Sequence, residues 1–431
     1  MQTKQDVYEM LHNAVWICTQ GKQTEGHEML YVPVNAVCRP APQGRAPEAE
    51  QILHELCALF SENQPPSVIP PTDGLVEAVN HQVQAIKPSL VIFEGYVLDP
   101  EHECVSTLQR VEQQLQQEGY ETLFADPEEW KRWHDKRHVR KVIRGLYGNG
   151  ALPYGQEWKH PYPEEVKQFA EEQLLHGRQA IIKIPGGGGS GLLKIQSSSD
   201  LTEIEEFLAE SPEWVVAEQW RPWKFSPCTS FFNGVYMEMC DQILHSHGGF
   251  IGATSIISLT DSDQRMLITF QQRLALTMFS QGMHGFVGID TVLCPFQEGD
   301  ALVLPDSGLS VLFVEVNPRV NGHNQERLFV SRLAKREGIH PDCIDHIRVL
   351  NTDQHFAHRN EAWKWFTSVL QGYATPLTRR SLCRGEAYFM LDGNTGQGTS
   401  YDGVMFVGIN ARDKLQQACQ FLQHKDILYT Q

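Results

Sequence analysis

The 431-residue chain has no Cys-x-x-Cys pair, no apolar run long enough to cross a membrane, and a shortage of basic residues relative to acidic ones. Each shortage excludes something. Ten cysteines scattered from Cys18 to Cys419 without paired spacing do not make a structural zinc site, and they fit reduced, mostly buried thiols better than a disulfide framework. The 36 Lys+Arg against 53 Asp+Glu leave a formal charge of −17, which disfavours a protein that coats nucleic acid or an anionic membrane surface. Lys4, Asp6 and Glu9 interrupt the stretch where a signal peptide needs unbroken apolar residues, so the expected location is the cytoplasm. Cys343 with His346, His245 with His247, and His355 with His358 have metal-like spacing. Each is an isolated pair, better read as core or surface histidine than as a zinc site.

With 41% apolar and 21% charged residues the chain is neither disordered nor fibrous, and its length suggests two to four domains. The first third carries the weakest pattern. Proline-rich loops at Arg39 to Pro47 and Pro65 to Pro71 flank a helix-like run from Glu48 to Phe60, and Gly74 to Ile86 also reads as helix. Leu90 to Phe93 then reads as a buried strand, Glu101 to Glu118 as a helix ending at Gly119, and Thr122 to Ala125 as a short strand. That alternation predicts an α/β layer for roughly the first 125 residues.

A helical, locally basic stretch follows from Glu128 to Arg144, in which Lys136, Arg140 and Arg144 share one face. A solvated surface and a cation cluster beside a polyphosphate both fit it. Pro163 to His176 reads as helix, and Gln179 to Pro185 and Leu192 to Gln196 read as strands around a glycine loop, which together predict a hairpin. Asp200 to Ala209 reads as an amphipathic helix with Ser199 or Asp200 as N-cap, and Trp214 to Ala217 and Phe231 to Met239 as strands. The long amphipathic segment Gln264 to Gln281 leads to two apolar strands, Phe286 to Leu293 and Val311 to Val316. An aromatic helix near Glu361 to Leu370 and a closing strand and helix from Gly403 to Leu422 complete the chain.

Two constellations carry chemistry. The loop Gly186-Gly187-Gly188-Gly189-Ser190-Gly191 satisfies G-x-G-x-x-G, but the strand-like Leu192 to Ile195 stands where a dinucleotide site needs a helix. Leu192-Leu193 likewise replaces the Lys-Ser/Thr of a Walker A loop. What remains is a loop whose backbone N–H groups can close over phosphate oxygens, with Lys183 three residues before it. The second constellation is Val314-Glu315-Val316-Asn317-Pro318-Arg319. Glu315 and Asn317 share a strand face and offer the oxygen ligands that Mg²⁺ prefers. Asp290 is the one ionisable residue of Phe286 to Leu293. An acid in such a strand needs a cation, either a metal or an arginine.

With these residues in view, the sequence resembles the ATP-grasp superfamily, on five motifs in order: Asp135-Lys136; Ile182-Lys183-Ile184-Pro185 with its glycine loop; Val215-Val216-Ala217-Glu218-Gln219-Trp220; Gly288-Ile289-Asp290; and Glu315-Val316-Asn317-Pro318-Arg319. The resemblance implies an α/β fold with an α+β lid, preceded by a pre-ATP-grasp α/β domain. The implied division is 1–126 for that first domain, 127–225 for the start of the ATP-grasp module with its glycine-loop lid, and 226–431 for the catalytic subdomain with its metal strands and a C-terminal extension.

The family's roles fall on matching positions. Lys136 and Lys183 would contact ATP phosphates, and Gly186, Gly187, Gly188, Gly189, Ser190 and Gly191 would form the lid loop. Glu218, Gln219 and Trp220 would offer backbone groups to adenine. Asp290, Glu315 and Asn317 would hold Mg²⁺, or Mn²⁺ in its place, while Arg319 would stabilise the transferring phosphoryl group and the reacting carboxylate. Asn321, His323 and Asn324 follow the metal strand. Arg221 to Tyr236 contains no acid where members commonly place one for the ribose, leaving Glu238 as a weak substitute.

The layout is similar to the carboxylate–amine ligase branch, in particular to stand-alone amino-acid or peptide ligases that proceed through an acylphosphate and release ADP and phosphate. The implied partners are a small carboxylate and an amine, with neither nucleic acid nor membrane; dimers are common in the family. A carboxylase or kinase-like member of the same fold, and a non-catalytic ATP-binding module, remain as alternatives.

Overall fold

The computed structural model describes residues 4, 6–7, 10, 14–20, 28–33, 67–69, 83–84, 87–88, 90–95, 103–124, 126–184, 191–209, 212–244, 250–318, 330, 333–349, 356, 359–377, 381–392 and 403–424. Three sheets organise them. The first contains β1 (Ala14–Gln20), β2 (Glu28–Pro33), β3 (Ser67–Ile69), β4 (Leu90–Gly95) and β5 (Thr122–Phe124), in the spatial order β3-β2-β1-β4-β5. β4 runs parallel to both β1 and β5, and α1 (Glu103–Gln117) supplies the crossover that a parallel β4–β5 pair requires. The strand–helix–strand pattern from Leu90 onward is therefore present. β1 to β3 have no counterpart in the sequence reading, and the helix expected over Glu48 to Phe60 lies outside the described residues.

Where the sequence pattern predicts one helix over Glu128 to Arg144, the chain forms two, α2 (Pro127–His134) and α3 (Lys136–Tyr147). Asp135 makes the break. Its backbone is extended (φ −70°, ψ 105°), and its carboxylate accepts the Arg137 N–H at 2.9 Å, which satisfies an otherwise orphaned donor of the new helix. Lys136 thereby becomes the first residue of α3.

The second sheet is assembled from β6 (Gly155–Lys159), β7 (Gln179–Lys183), β8 (Leu192–Ile195) and β9 (Trp214–Trp220), in the order β6-β9-β7-β8 with every pair antiparallel. The predicted β7–β8 hairpin is present. α4 (Pro163–Leu175) buries Val166, Phe169 and Ala170 against Ile182, Val215 and Ala217 of this sheet. The helix expected over Asp200 to Ala209 shortens to α5 (Glu203–Phe207) after a single 3₁₀ turn. Asp200 is drawn away from capping because its carboxylate accepts the N–H groups of Gln196 and Ser197 at 2.7 and 2.9 Å.

The third sheet has nine strands: β10 (Pro227–Phe232), β11 (Val235–Leu244), β12 (Phe250–Thr254), β13 (Phe286–Pro295), β14 (Leu309–Asn317), β15 (Ile344–Val349), β16 (Thr375–Pro376), β17 (Tyr388–Asp392) and β18 (Gly403–Ile409). Their order is β14-β13-β10-β11-β12-β15-β18-β17-β16, so β14 is an edge. The single strand expected over Phe231 to Met239 is in fact the β10–β11 hairpin. Asn233 and Gly234 both take positive φ (48° and 78°), the two-residue turn whose twist matches a hairpin. α6 (Asp261–Ser280) packs Leu267, Leu274, Ala275 and Met278 onto one sheet face, where Trp133, Val139 and Ile143 of α2 and α3 join the same core. α7 (Arg359–Val369) and α8 (Arg412–His424) cover β15 and β18 with Ala362, Phe366, Leu415 and Ala418.

The chain crosses from the second sheet to the third just after β9, and a charged clamp fixes that crossing. Arg221 donates to both oxygens of Asp300 at 3.2 and 3.1 Å and to the Pro295 carbonyl at 2.8 Å, while Ser310 Oγ also donates to Asp300 at 2.5 Å. Both charged side chains are more than nine-tenths buried. Removing one partner strands the other, so Asp300→Ala should lower the unfolding free energy by about 3 kcal/mol, measured by urea denaturation. An unchanged midpoint and slope would show that the clamp does not hold the crossing.

Candidate functional site

The site is built on the edge of the nine-stranded sheet, and a β-bulge decides which residues face it. In a regular strand Val311, Phe313 and Glu315 would point the same way, and Val316 the opposite way. The observed register pairs Thr291 with Phe313 but Asp290 with Glu315, leaving Val314 as the extra residue. That insertion reverses the alternation. Val311, Phe313 and Val316 all enter the core, and Glu315 and Asn317 are delivered to the opposite face beside Asp290. The Asn317 amide donates to Asp290 Oδ2 at 2.9 Å. Glu315 and Asn317 share a face as the period of 2 predicts, and the bulge decides which face that is.

Two lysines reach this edge from different elements. Lys136, at the start of α3, forms an ion pair with Glu315. Lys183, the last residue of β7, donates to the Val314 carbonyl at 3.3 Å, the backbone oxygen of the bulged residue, and pairs with Glu218 Oε2 at 2.5 Å. Glu218 on β9 uses its other oxygen to accept from Arg140 of α3. Arg140 also reaches Glu157 Oε1 at 2.6 Å and the Pro153 carbonyl at 3.3 Å, and Arg144 pairs with the same Glu157. Lys136, Arg140, Lys183, Glu218, Val314 and Glu315 line one narrow cleft between the second and third sheets.

The electrostatics follow from this sharing. Burial alone would raise the Glu218 carboxyl, but Lys183 and Arg140 outweigh it and hold the pKa below the ordinary glutamate value. Lys183 is in the opposite position. Burial lowers its pKa and the nearby Lys136 lowers it further, against a partial return from Glu218. Glu218 is thus shared by Lys183 and Arg140, and Arg140 is itself shared between Glu218 and Glu157.

Next to the charged edge the same face turns apolar. Val292 and Cys294, two and four residues beyond Asp290, pack with Leu312, Val314 and Trp223. Trp223 meets Trp220 edge to face at 4.5 Å, and Lys194 Nζ lies 4.1 Å from the Trp220 ring.

Lys136, Lys183, Glu218, Asp290, Glu315 and Asn317 are therefore brought into one region. Gln219 and Trp220 continue β9, where the Gln219 N–H is already bonded to the Tyr154 carbonyl at 2.7 Å. The sequence reading gave Glu218 a backbone role; here its side chain is the conspicuous part. Gly191 closes the β7–β8 hairpin through its carbonyl, bonded to the Ile184 N–H at 3.0 Å. Gly186, Gly187, Gly188, Gly189, Ser190, Arg319, Asn321, His323 and Asn324 lie outside the described residues. Sequence reasoning did not reach Glu157 or Trp223. The four-residue spacing of Lys136, Arg140 and Arg144 was a signal for the cluster, but not for the acids it meets. No group of three or more His, Cys, Asp or Glu able to hold a metal occurs among the described residues.

No family model and no curated protein matches the chain. Solved structures do. An N5-carboxyaminoimidazole ribonucleotide synthetase in complex with ADP is 12% identical and superposes with a TM-score of 0.53, covering 86% of this chain and 87% of its own. An N5-carboxyaminoimidazole synthase from Aspergillus clavatus, in complex with ADP and 5-aminoimidazole ribonucleotide, is 13% identical with a TM-score of 0.50, covering 82% of this chain and 88% of that one. The fold is thus the ATP-grasp α/β fold implied by the five motifs.

The sharing of Glu218 has a measurable consequence. A carboxyl whose folded pKa is lowered contributes stability that is present above the unfolded value and lost as pH falls through the folded value. Glu218→Gln should therefore be less stable than the parent at pH 7, with the gap shrinking as pH falls below about 4. Urea unfolding at the two pH values tests this, and a gap independent of pH would contradict it.

Proposed function

We propose that the chain is an ATP-dependent, ADP-forming carboxylate–amine ligase, joining a small carboxylic acid to an amine through an acylphosphate. One observation carries the reading: Lys136 and Lys183, from separate elements, converge on the strand edge where the bulge presents Glu315 and Asn317 beside Asp290. Two lysines next to clustered oxygen ligands suit a polyphosphate that arrives with its metal.

The order of residues along the face orients the nucleotide. The apolar wall of Val292, Leu312 and Trp223 would take the base, and the phosphates would point toward Lys136 and Lys183. Glu238 lies on β11 opposite Ser230, in the row of Gly288 and Asn317, beyond the acids as seen from that wall. It is therefore poorly placed for a ribose between base and phosphates. Gly186 to Gly191 would close over the phosphates and keep water from the acylphosphate, and Arg319 would steady the reacting carboxylate.

The donor set fits Mg²⁺, since two carboxylates and an amide oxygen from paired strands are hard ligands that leave positions for phosphate and water. The ion would neutralise charge on the transferring phosphoryl group. The protein's share is positioning: Lys136 and Lys183 hold the phosphates, and Asp290, Glu315 and Asn317 fix the ligand set. The amine would attack the acyl carbon, forming the amide bond as the carbon–oxygen bond to phosphate breaks. An amino acid or peptide is the substrate class favoured here. The fold shared with N5-carboxyaminoimidazole synthetases is equally compatible with a second reading, a carboxylase in which bicarbonate is the acid that is phosphorylated.

An ADP-release screen with product masses separates them. Turnover should require an acid and an amine together, and Glu315→Gln should abolish it; turnover with bicarbonate in place of the organic acid selects the second reading, and full activity of the variant removes the metal assignment. Because Lys136 occupies Glu315, Lys136→Met should bind Mn²⁺ several-fold more tightly than the parent in the absence of nucleotide while losing affinity for ATP. Electron paramagnetic resonance titration reads the Mn²⁺ arm, and equal affinity in the two proteins would show that Glu315 is not the ligand the lysine covers.

A further inference from the structure

We propose that Arg140 is a positioning residue for nucleotide binding, acting on Lys183 through Glu218. The inference rests on the reading that Lys183 meets the phosphates. Arg140 and Arg144 are the members of the basic α3 face that this reading leaves without a role. A solvated surface would leave Arg140 exposed, yet its side chain is 5% exposed and the Glu218 side chain 3%.

The connections run in one direction. α3 belongs to the core beneath the nine-stranded sheet through Val139 and Ile143, whereas Glu157 and Glu218 stand on β6 and β9 of the four-stranded sheet. Arg140 spans the two bodies, with Nε on Glu157, Nη1 on Glu218 and Nη2 on the Pro153 carbonyl. A guanidinium can serve all three because its donors form a rigid planar fork, which an ammonium does not supply. Arg140 binds Glu218 Oε1 and leaves Oε2 for Lys183, so the guanidinium fixes the plane and the free edge of the carboxylate that holds the lysine. Glu157 Oε1, which accepts from Arg140, is also held by Arg144, one helical turn further along α3. The lysine's other contact, the Val314 carbonyl, lies on the far side of the cleft. Lys183 is therefore suspended between the bulge and a carboxylate whose orientation Arg140 sets. Without Arg140, Glu218 would be free to turn toward Lys183 with both oxygens, and the ammonium would be held back from an incoming phosphate.

A merely structural ion pair would change stability and leave binding of folded protein alone, so the test reads binding. Calorimetric titration of Mg²⁺·ADP into the parent, Arg140→Gln, Arg140→Lys, Glu218→Gln and the Arg140→Gln/Glu218→Gln double variant gives a cycle, with melting temperatures recorded in parallel. Arg140→Gln should weaken binding about tenfold, Arg140→Lys should recover only part of it, and the double variant should bind no more weakly than Glu218→Gln alone, because Arg140 acts through that carboxylate. In turnover the same variants should raise KM for ATP more than they lower kcat. Unchanged binding by Arg140→Gln, or effects that multiply in the double variant, would overturn the proposal. If Arg140→Gln does not fold, Arg140→Lys decides alone, and parental affinity in it has the same force. A parent that binds no adenine nucleotide would overturn the functional reading, and this one with it; nucleotide binding indifferent to Arg140 overturns this one only.

Discussion

The charged crossing between the four-stranded and the nine-stranded sheet governs the rest of the site. Glu218 accepts Arg140 on one oxygen and Lys183 on the other, in a place where neither cation nor carboxylate has water to fall back on. Buried charge is costly unless paired, so this arrangement permits few relative placements of α3, β9 and β7. With Arg221 and Asp300 fixing the chain just beyond β9, the four-stranded sheet is held where β7 delivers Lys183 to the edge of the nine-stranded one. The same pairings gather Lys136, Lys183 and Arg140 around one cleft. Cations are thereby concentrated in the cleft although the whole chain carries −17.

The bulge at Val314 is the second constraint, and it acts on the first. The bulged residue carries the backbone carbonyl that Lys183 uses. By reversing the alternation it allows Phe313 and Val316 to share a core while Glu315 leaves it. An edge strand accommodates such an insertion because only one neighbour must adjust. Folding and chemistry meet in this residue: the extra valine is what makes a nine-residue apolar strand compatible with a carboxylate in the cleft.

Much of the architecture was legible in the chain itself. Period-2 and period-3.6 patterns located β4, α1, β7, β8, β13, β14, α6 and α8 because each buries one face or both, and burial is written in local composition. The break at Asp135 and the Asn233-Gly234 turn were also written there, as an N-cap acid and a turn dipeptide, but both lie within longer runs whose pattern masks them. β1 to β3 were not legible: β1 and β2 pair as sequence neighbours, but β3 and the parallel partner β4 that complete their sheet come from segments more distant in sequence. The α3 face showed its cations and hid their purpose, since Glu157 and Glu218 are brought to it only by the packing of the second sheet.

The sequence by itself determined the inventory: the five ordered motifs, the glycine loop between two strands, the lone acids of β13 and β14, and the basic stripe of α3. These are local properties of composition and spacing. Tertiary structure alone decided which cation meets which acid, that Glu315 faces the cleft and not the core, that Lys136 covers Glu315, and that Arg140 stands behind Lys183. Each of these depends on register, on a bulge and on desolvation between elements far apart in the chain, and pairing energies of that kind come into being only when the sheets have closed around the charges.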